Sequence, residues 1–223
     1  MRLDHFIAKK LSLSERSART EIASGKVSIN AARVTDHLTR IDRFCEISCR
    51  EKVIQEKLEK RYIMLNKPPG YLSATSDPVH PTVVDLIDLP DRETLHLAGR
   101  LDRASTGLLL LTNDSGWSEQ LSHPDSKVPK VYLVETIDPI PDEAVLRFAE
   151  GFRFDYEDII TRPAKLEILA PRLARVTIHE GKYHQIKRMF HRINENRLKS
   201  LHRIQIGDYH LPDHLQPGEW VLL

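Results

Sequence analysis

Four consecutive leucines, Leu108 to Leu111, stand between Gly107 and the turn-forming group Asn113-Asp114-Ser115-Gly116. An unbroken apolar run this short, closed by turn residues on one side and glycine on the other, reads as a fully buried strand. The chain enters that strand through Gly99-Arg100-Leu101-Asp102, which puts a charged pair at the rim of a core. A carboxylate so placed has a fixed direction and limited access to water, as a nucleophile or base requires. The alternative role for Asp102 is to cap the turn or to pair with Arg100 or Arg103.

With 223 residues, 40% of them hydrophobic and 29% charged, the chain suits one soluble domain with a small appendage. No apolar run approaches the roughly 18 residues of a membrane span, and Met1-Arg2-Leu3-Asp4 opens into an amphipathic pattern, which implies a cytoplasmic protein. Cys45 and Cys49 have no second Cys or His pair nearby and read as reduced structural thiols. The net charge of +1 conceals a distribution. Residues 1–61 hold 14 lysines and arginines against 9 acidic residues, and residues 181–203 hold 7 against 1. Local fields govern phosphate binding, so two basic clusters point to nucleic acid where the total does not.

Leu3, Phe6, Ile7 and Leu11 recur at helical spacing, and Ser14 is placed to cap a second helix that Gly25 stops. Lys26 to Asn30 alternates as a strand, and another is expected around Phe44 to Ser48. Residues 1–49 thus form a small unit, residues 50–60 read as a charged linker, and residues 61–223 form the main domain. There, strands are expected near Leu95–Ala98, Leu108–Leu111, Val131–Glu135, Ala164–Leu169 and Ala174–His179. Helices are expected near Val83–Ile87, Trp117–Leu121, Glu143–Phe148 and Tyr183–His191. This irregular mixture defines an α+β fold on a mixed, mostly antiparallel sheet with flanking helices. The histidines His179, His184, His191 and His202 lack the paired spacing of metal ligands and read as surface or RNA-facing groups.

Five segments occur in order: Asn66-Lys67-Pro68-Pro69-Gly70-Tyr71, Gly99-Arg100-Leu101-Asp102, Lys130-Val131-Tyr132-Leu133-Val134, Glu180 to Phe190, and Leu201 to Gly207. Together they resemble the motifs of RsuA-type pseudouridine synthases, which act on bacterial ribosomal RNA. The resemblance covers nearly the whole chain. Its N-terminal part, through Arg2 to Ile7, Ser17-Ala18-Arg19, Ile22, Gly25-Lys26-Val27 and Ile29-Asn30, resembles the S4 RNA-binding domain. Ala31 stands where such domains usually have Gly, and Ala104-Ser105 stands where the synthases usually have Asp-Thr.

That resemblance implies isomerisation of uridine to pseudouridine with no cofactor and no metal. It makes Asp102 the nucleophile, attacking either C1′ or the uracil C6, with Lys187 as the cation that orients it and Tyr132 as the ring against the base. Arg100 takes the place of a base flipped out of its stack, and the chemistry cannot reach an unflipped one. Arg2, Lys9, Arg16, Arg19 and Lys26 in the N-terminal unit, with Arg188 and Arg203 in the main domain, are the candidates for phosphate contact. Trp117-Ser118 and Gly181 to Phe190 lean toward small-subunit, 16S RNA, as free RNA or in a pre-ribosomal particle, with the protein a monomer and no membrane partner. The rivals are the same chemistry on large-subunit RNA or tRNA, and a non-catalytic S4-type RNA-binding or ribosome-assembly protein. An aspartate-dependent glycoside hydrolase would need a second carboxylate, for which the sequence offers no obvious candidate.

Overall fold

The computed structural model describes residues 1–223, apart from the side chain of Pro124. The chain divides into two compact units, Met1–Lys60 and Arg61–Leu223.

In the first unit, helices α1 (Leu3–Lys10) and α2 (Glu15–Ala23) precede strands β1 (Val27–Ile29), β2 (Ala32–Val34), β3 (Ile47–Cys49) and β4 (Lys52–Gln55). Ser14 caps α2 by accepting from the Ser17 amide, and Gly25, at φ +69°, ends it. The strands form an antiparallel sheet in the order β2-β1-β3-β4. Leu3, Ile7, Ala18, Ile22, Val27 and Ile47 are wholly buried between helices and sheet.

Two-residue turns close both hairpins, Asn30-Ala31 (φ +49°, +66°) and Arg50-Glu51 (φ +52°, +64°). Positive φ at both central positions matches the right-handed twist of the strands. The second turn alters the reading of residues 50–60 as a linker. Right after it the chain returns as β4, and the Leu58 amide donates to the Arg43 carbonyl. Ile54 packs against the core while Lys52 and Val53 face outward. The segment looked like a linker because an edge strand carries charge on its open side.

The second unit is built on one sheet. Its strands are β5 (Tyr62–Lys67), β6 (His96–Leu97), β7 (Thr106–Thr112), β8 (Lys130–Thr136), β11 (Lys165–Ala170), β12 (Leu173–Ile178), β13 (Leu198–Ile206), β14 (Tyr209–His210) and β15 (Trp220–Leu222). A separate small hairpin pairs β9 (Arg153–Phe154) with β10 (Ile159–Ile160). The order along the main sheet is β11-β12-β8-β13-β7-β5-β15, with β14 on β13 and β6 on β7. Every pairing is antiparallel except β13 with β7. The helices are α3 (Ser115–Ser122), α4 (Glu143–Glu150) and α5 (Gln185–Asn194), and Val83–Leu86 forms a 3-10 turn where a helix was expected.

The leucine run is buried on both faces, with alternate residues serving different cores. Leu109 and Leu111 join Ile63, Leu65, Val83 and Ile87, whereas Leu108 and Leu110 join Met64, Ala98 and Ile206. A third core gathers Tyr132, Val134, Phe148, Val176, Met189 and Phe190 beneath α4 and α5. β13 was not expected as a strand, because Lys199, His202 and Arg203 interrupt its apolar pattern. Its position between β8 and β7 overrides that pattern.

Candidate active site

Asp102 lies in the loop of residues 99–105, between Ala98 and the start of β7, and this loop is tied down at nearly every peptide. Ser73 Oγ donates to the Leu101 carbonyl at 2.7 Å and accepts from the Leu101 amide at 3.0 Å. The Gly70 amide donates to the Arg103 carbonyl at 2.8 Å, and Arg103 Nε returns a bond to the Gly70 carbonyl at 3.0 Å. Here the Pro68-Pro69-Gly70 turn has a clear use, since it presents the backbone that clamps the loop. Leu101 drops its side chain into the third core.

Two buried cations complete the clamp from below. Lys67, at the end of β5, is fully buried, and its Nζ donates to the carbonyls of Pro68 (3.0 Å), Arg103 (3.2 Å) and Ser105 (2.8 Å). Burial drives its pKa down to about 8, against the pull of the Asp102 charge and with a further push from Arg203. Arg203, on β13, is 1% exposed and gives Nε to the Leu108 carbonyl (2.8 Å) and Nη1 to the Arg100 carbonyl (3.1 Å). The same Nη1 lies 3.4 Å from Tyr132 Oη, and the guanidinium carbon stands 5.9 Å from the Tyr132 ring centre. A single side chain therefore joins the loop, the leucine strand and Tyr132.

With its backbone fixed, the Asp102 carboxylate meets two side chains from the start of α5. Lys187 Nζ lies 2.5 Å from Oδ2, and His184 Nε2 lies 3.4 Å from Oδ1. All three are about one-third exposed, so the group is open to a ligand. His184 precedes α5 with φ +47°, in the left-handed region, and Gln185 is anchored by Glu180 Oε1 at 2.8 Å. That bend starts the helix two residues later than expected and turns the imidazole toward Asp102.

Asp102, Lys187 and, through Arg203, Tyr132 thus come together. Arg100 is exposed, and its guanidinium has no partner among the described residues, so the Arg100–Asp102 pair considered from sequence does not form. Arg203 is a correction to the expected phosphate contacts: it is buried and its bonds go to the protein interior. Arg188 is held by Glu157 at 2.6 and 2.7 Å and lies 3.6 Å over the Phe154 ring.

In the first unit, Arg2 and Arg19 both bond the buried Asp4, at 2.6 and 3.0 Å, and Lys26 pairs with Glu21 at 3.2 Å. Lys9 and Arg16 are exposed and unpaired among the described residues. Counting charges located the basic clusters but not the direction each side chain takes.

Three site residues escaped the sequence reading in their actual roles: His184, Lys67 and Arg203. The spacing His184-Gln185-Ile186-Lys187 held a signal for the first, because residues three apart at a helix start share a face. Ala104 is exposed, and Ser105 is buried with its hydroxyl unpartnered among the described residues. No group of His, Cys, Asp or Glu among the described residues is arranged to hold a metal.

A carboxylate fixed between a lysine and a histidine on the loop entering the inner strand β7 agrees with what comparison with known proteins shows: the chain belongs to the RNA pseudouridylate synthase family, whose model matches residues 61–192. Among relatives, the Pseudomonas aeruginosa protein named ribosomal small subunit pseudouridine synthase A is 46% identical over 220 residues, covering 99% of this chain and 95% of that protein. Its Escherichia coli K12 namesake is 40% identical, again over 99% of this chain and 95% of the relative. A crystal structure described as a pseudouridylate synthase matches with a TM-score of 0.72 at 39% identity, covering 100% of this chain and 96% of that one.

Proposed function

We propose that this enzyme isomerises a uridine of small-subunit ribosomal RNA to pseudouridine, with Asp102 as its nucleophile. The observation that carries the assignment is the Asp102 carboxylate, held by Lys187 at 2.5 Å on a loop whose backbone is bonded at Arg100, Leu101, Asp102, Arg103 and Ser105. The small-subunit target follows from the names of relatives that match nearly end to end.

In the reaction the C1′–N1 bond breaks, the uracil turns, a C1′–C5 bond forms, and the proton lost from C5 is balanced by one gained at N1. Asp102 supplies the carboxylate oxygen that bonds transiently to the substrate. Lys187 keeps that carboxylate charged and aimed. In this reading Tyr132, 6% exposed where the third core meets the loop, is the ring that the detached base meets. Arg203 bonds both the Tyr132 hydroxyl and the Arg100 carbonyl, which ties the ring to the loop.

Arg100, exposed and unpaired beside the nucleophile, fills the gap left by the flipped base. A planar guanidinium stacks on neighbouring bases while bonding phosphate. The N-terminal unit, S4-like in sequence, docks the RNA through Lys9 and Arg16, with Arg2 and Arg19 arranged around Asp4. Reverse-transcription stops after carbodiimide treatment, mapped in a strain lacking the gene, test the proposal. One small-subunit stop should disappear, return with the wild-type gene, and stay absent with Asp102→Asn. An unchanged map overturns it.

A further inference from the structure

Tyr183 is 72% exposed, although it adjoins the most constrained part of the enzyme. Its ring lies flat on His184, with centres 3.9 Å apart and planes within 20°, and the other edge of that imidazole faces Asp102 at 3.4 Å. The hydroxyl of Tyr183 has no hydrogen-bond partner among the described residues, so neither burial nor bonding accounts for the ring's position. Its carbonyl accepts from Arg188 Nη1 at 3.4 Å, and the Lys182 amide donates to Gln185 Oε1 at 3.0 Å, which fixes the backbone on both sides of it. One face of the tyrosine is occupied and the other is open to water.

We propose that the open face of Tyr183 is a stacking subsite for a nucleobase next to the target uridine. Asp102 meets the edge of the His184 ring, Tyr183 covers one face of it, and the outer face of Tyr183 looks to solvent. A base on the outer face of Tyr183 is separated from His184 by the thickness of the tyrosine ring. Exposed Lys182 stands beside it for the same nucleotide's phosphate. The subsite takes any base, because every base offers a π face, and it needs no hydrogen-bond readout. An RNA strand gripped on both sides of an extruded nucleotide has little freedom to restack, which assists flipping.

This inference rests on the pseudouridine synthase reading, and the experiment separates the two. Full-length wild-type enzyme and Tyr183→Ala, Tyr183→Phe and Tyr183→Trp variants are given an RNA fragment spanning the mapped site, with 2-aminopurine in turn on either side of the uridine. In the wild type one flanking probe is quenched on binding. Tyr183→Ala should lose the quench and raise KM roughly 5- to 100-fold, with kcat within about twofold. Phe and Trp should restore both. An Ala variant with unchanged KM and quench, or a KM defect that Phe and Trp do not repair, overturns the subsite. A wild-type enzyme that quenches the probe yet forms no pseudouridine would instead overturn the function proposed above.

Discussion

The Arg203 backbone runs so close to Gly107 that a Cβ on the glycine would lie 2.2 Å from the Arg203 carbonyl oxygen and 2.7 Å from its nitrogen. These residues face each other where β13 and β7 pair in parallel, and Gly107 has φ +101°. The close approach lets the Arg203 side chain reach Leu108, Arg100 and Tyr132 from below the loop. Gly107→Ala combines a forbidden φ with a backbone clash, and should destabilise the protein by at least about 3 kcal/mol. Urea denaturation measures this, and a loss under about 1 kcal/mol would contradict the account.

Asp102→Asn preserves shape and removes the negative charge. Isomerisation should vanish while RNA affinity, set by the basic surfaces, stays within about twofold. Lys187→Met leaves the carboxylate present but poorly held, so kcat should fall by about 100-fold or more with little change in melting temperature. Single-turnover assays together with filter binding separate the two effects. A Lys187→Met enzyme of normal kcat would show that the 2.5 Å contact has no catalytic weight.

Much of this arrangement was legible in the sequence, for identifiable reasons. Leu108 to Leu111 revealed their strand because both faces are dry. The pairing of Asp102 with Lys187 was legible through ordered motifs, not through periodicity. Lys67 and Arg203 were not, since a lysine before two prolines reads as a turn and an arginine within a basic cluster reads as surface. Their burial depends on carbonyls that only the folded loop brings together. His184 was read as surface or RNA-facing because a left-handed φ leaves no mark in composition.

Ala31, where S4-type domains usually have Gly, stands at a strained turn position. It sits at φ +66° after Asn30 at φ +49°, a turn that favours Asn-Gly. Ala31→Gly should stabilise the N-terminal unit by up to about 1 kcal/mol, the left-handed penalty outweighing the added chain entropy. Amide exchange in β1 and β2 of the full-length chain should slow accordingly. Faster exchange would show that the turn tolerates alanine.

Asp4 links stability to acid. Burial alone would raise its pKa, but bonds from Arg2, Arg19 and the His5 amide prevail and hold it at about 2. A folded pKa below the unfolded 3.8 means that the ionised carboxylate stabilises the fold above pH 3.8, and that this contribution disappears as pH falls from there to about 2. Asp4→Asn should be less stable than wild type at neutral pH, with the difference shrinking through that window. A constant difference down to pH 2 would mean that the arginines do not act through charge.

Lys67 gives the opposite signature at alkaline pH, where activity and stability should move apart. Its folded pKa of about 8 lies below the unfolded 10.5. Between those values the unfolded chain binds more protons, so Lys67's contribution to folding stability becomes more favourable as pH rises from about 8 to 10.5. Over the same range the amine keeps only two N–H donors for the three carbonyls of Pro68, Arg103 and Ser105. The Asp102 loop loosens, and kcat should fall with an apparent pKa near 8. Lys67→Met should have lower kcat at every pH and lack that alkaline limb, while its denaturation midpoint loses the rise above pH 8 that Lys67 gives the wild type. An alkaline limb that persists in Lys67→Met would assign it to another group.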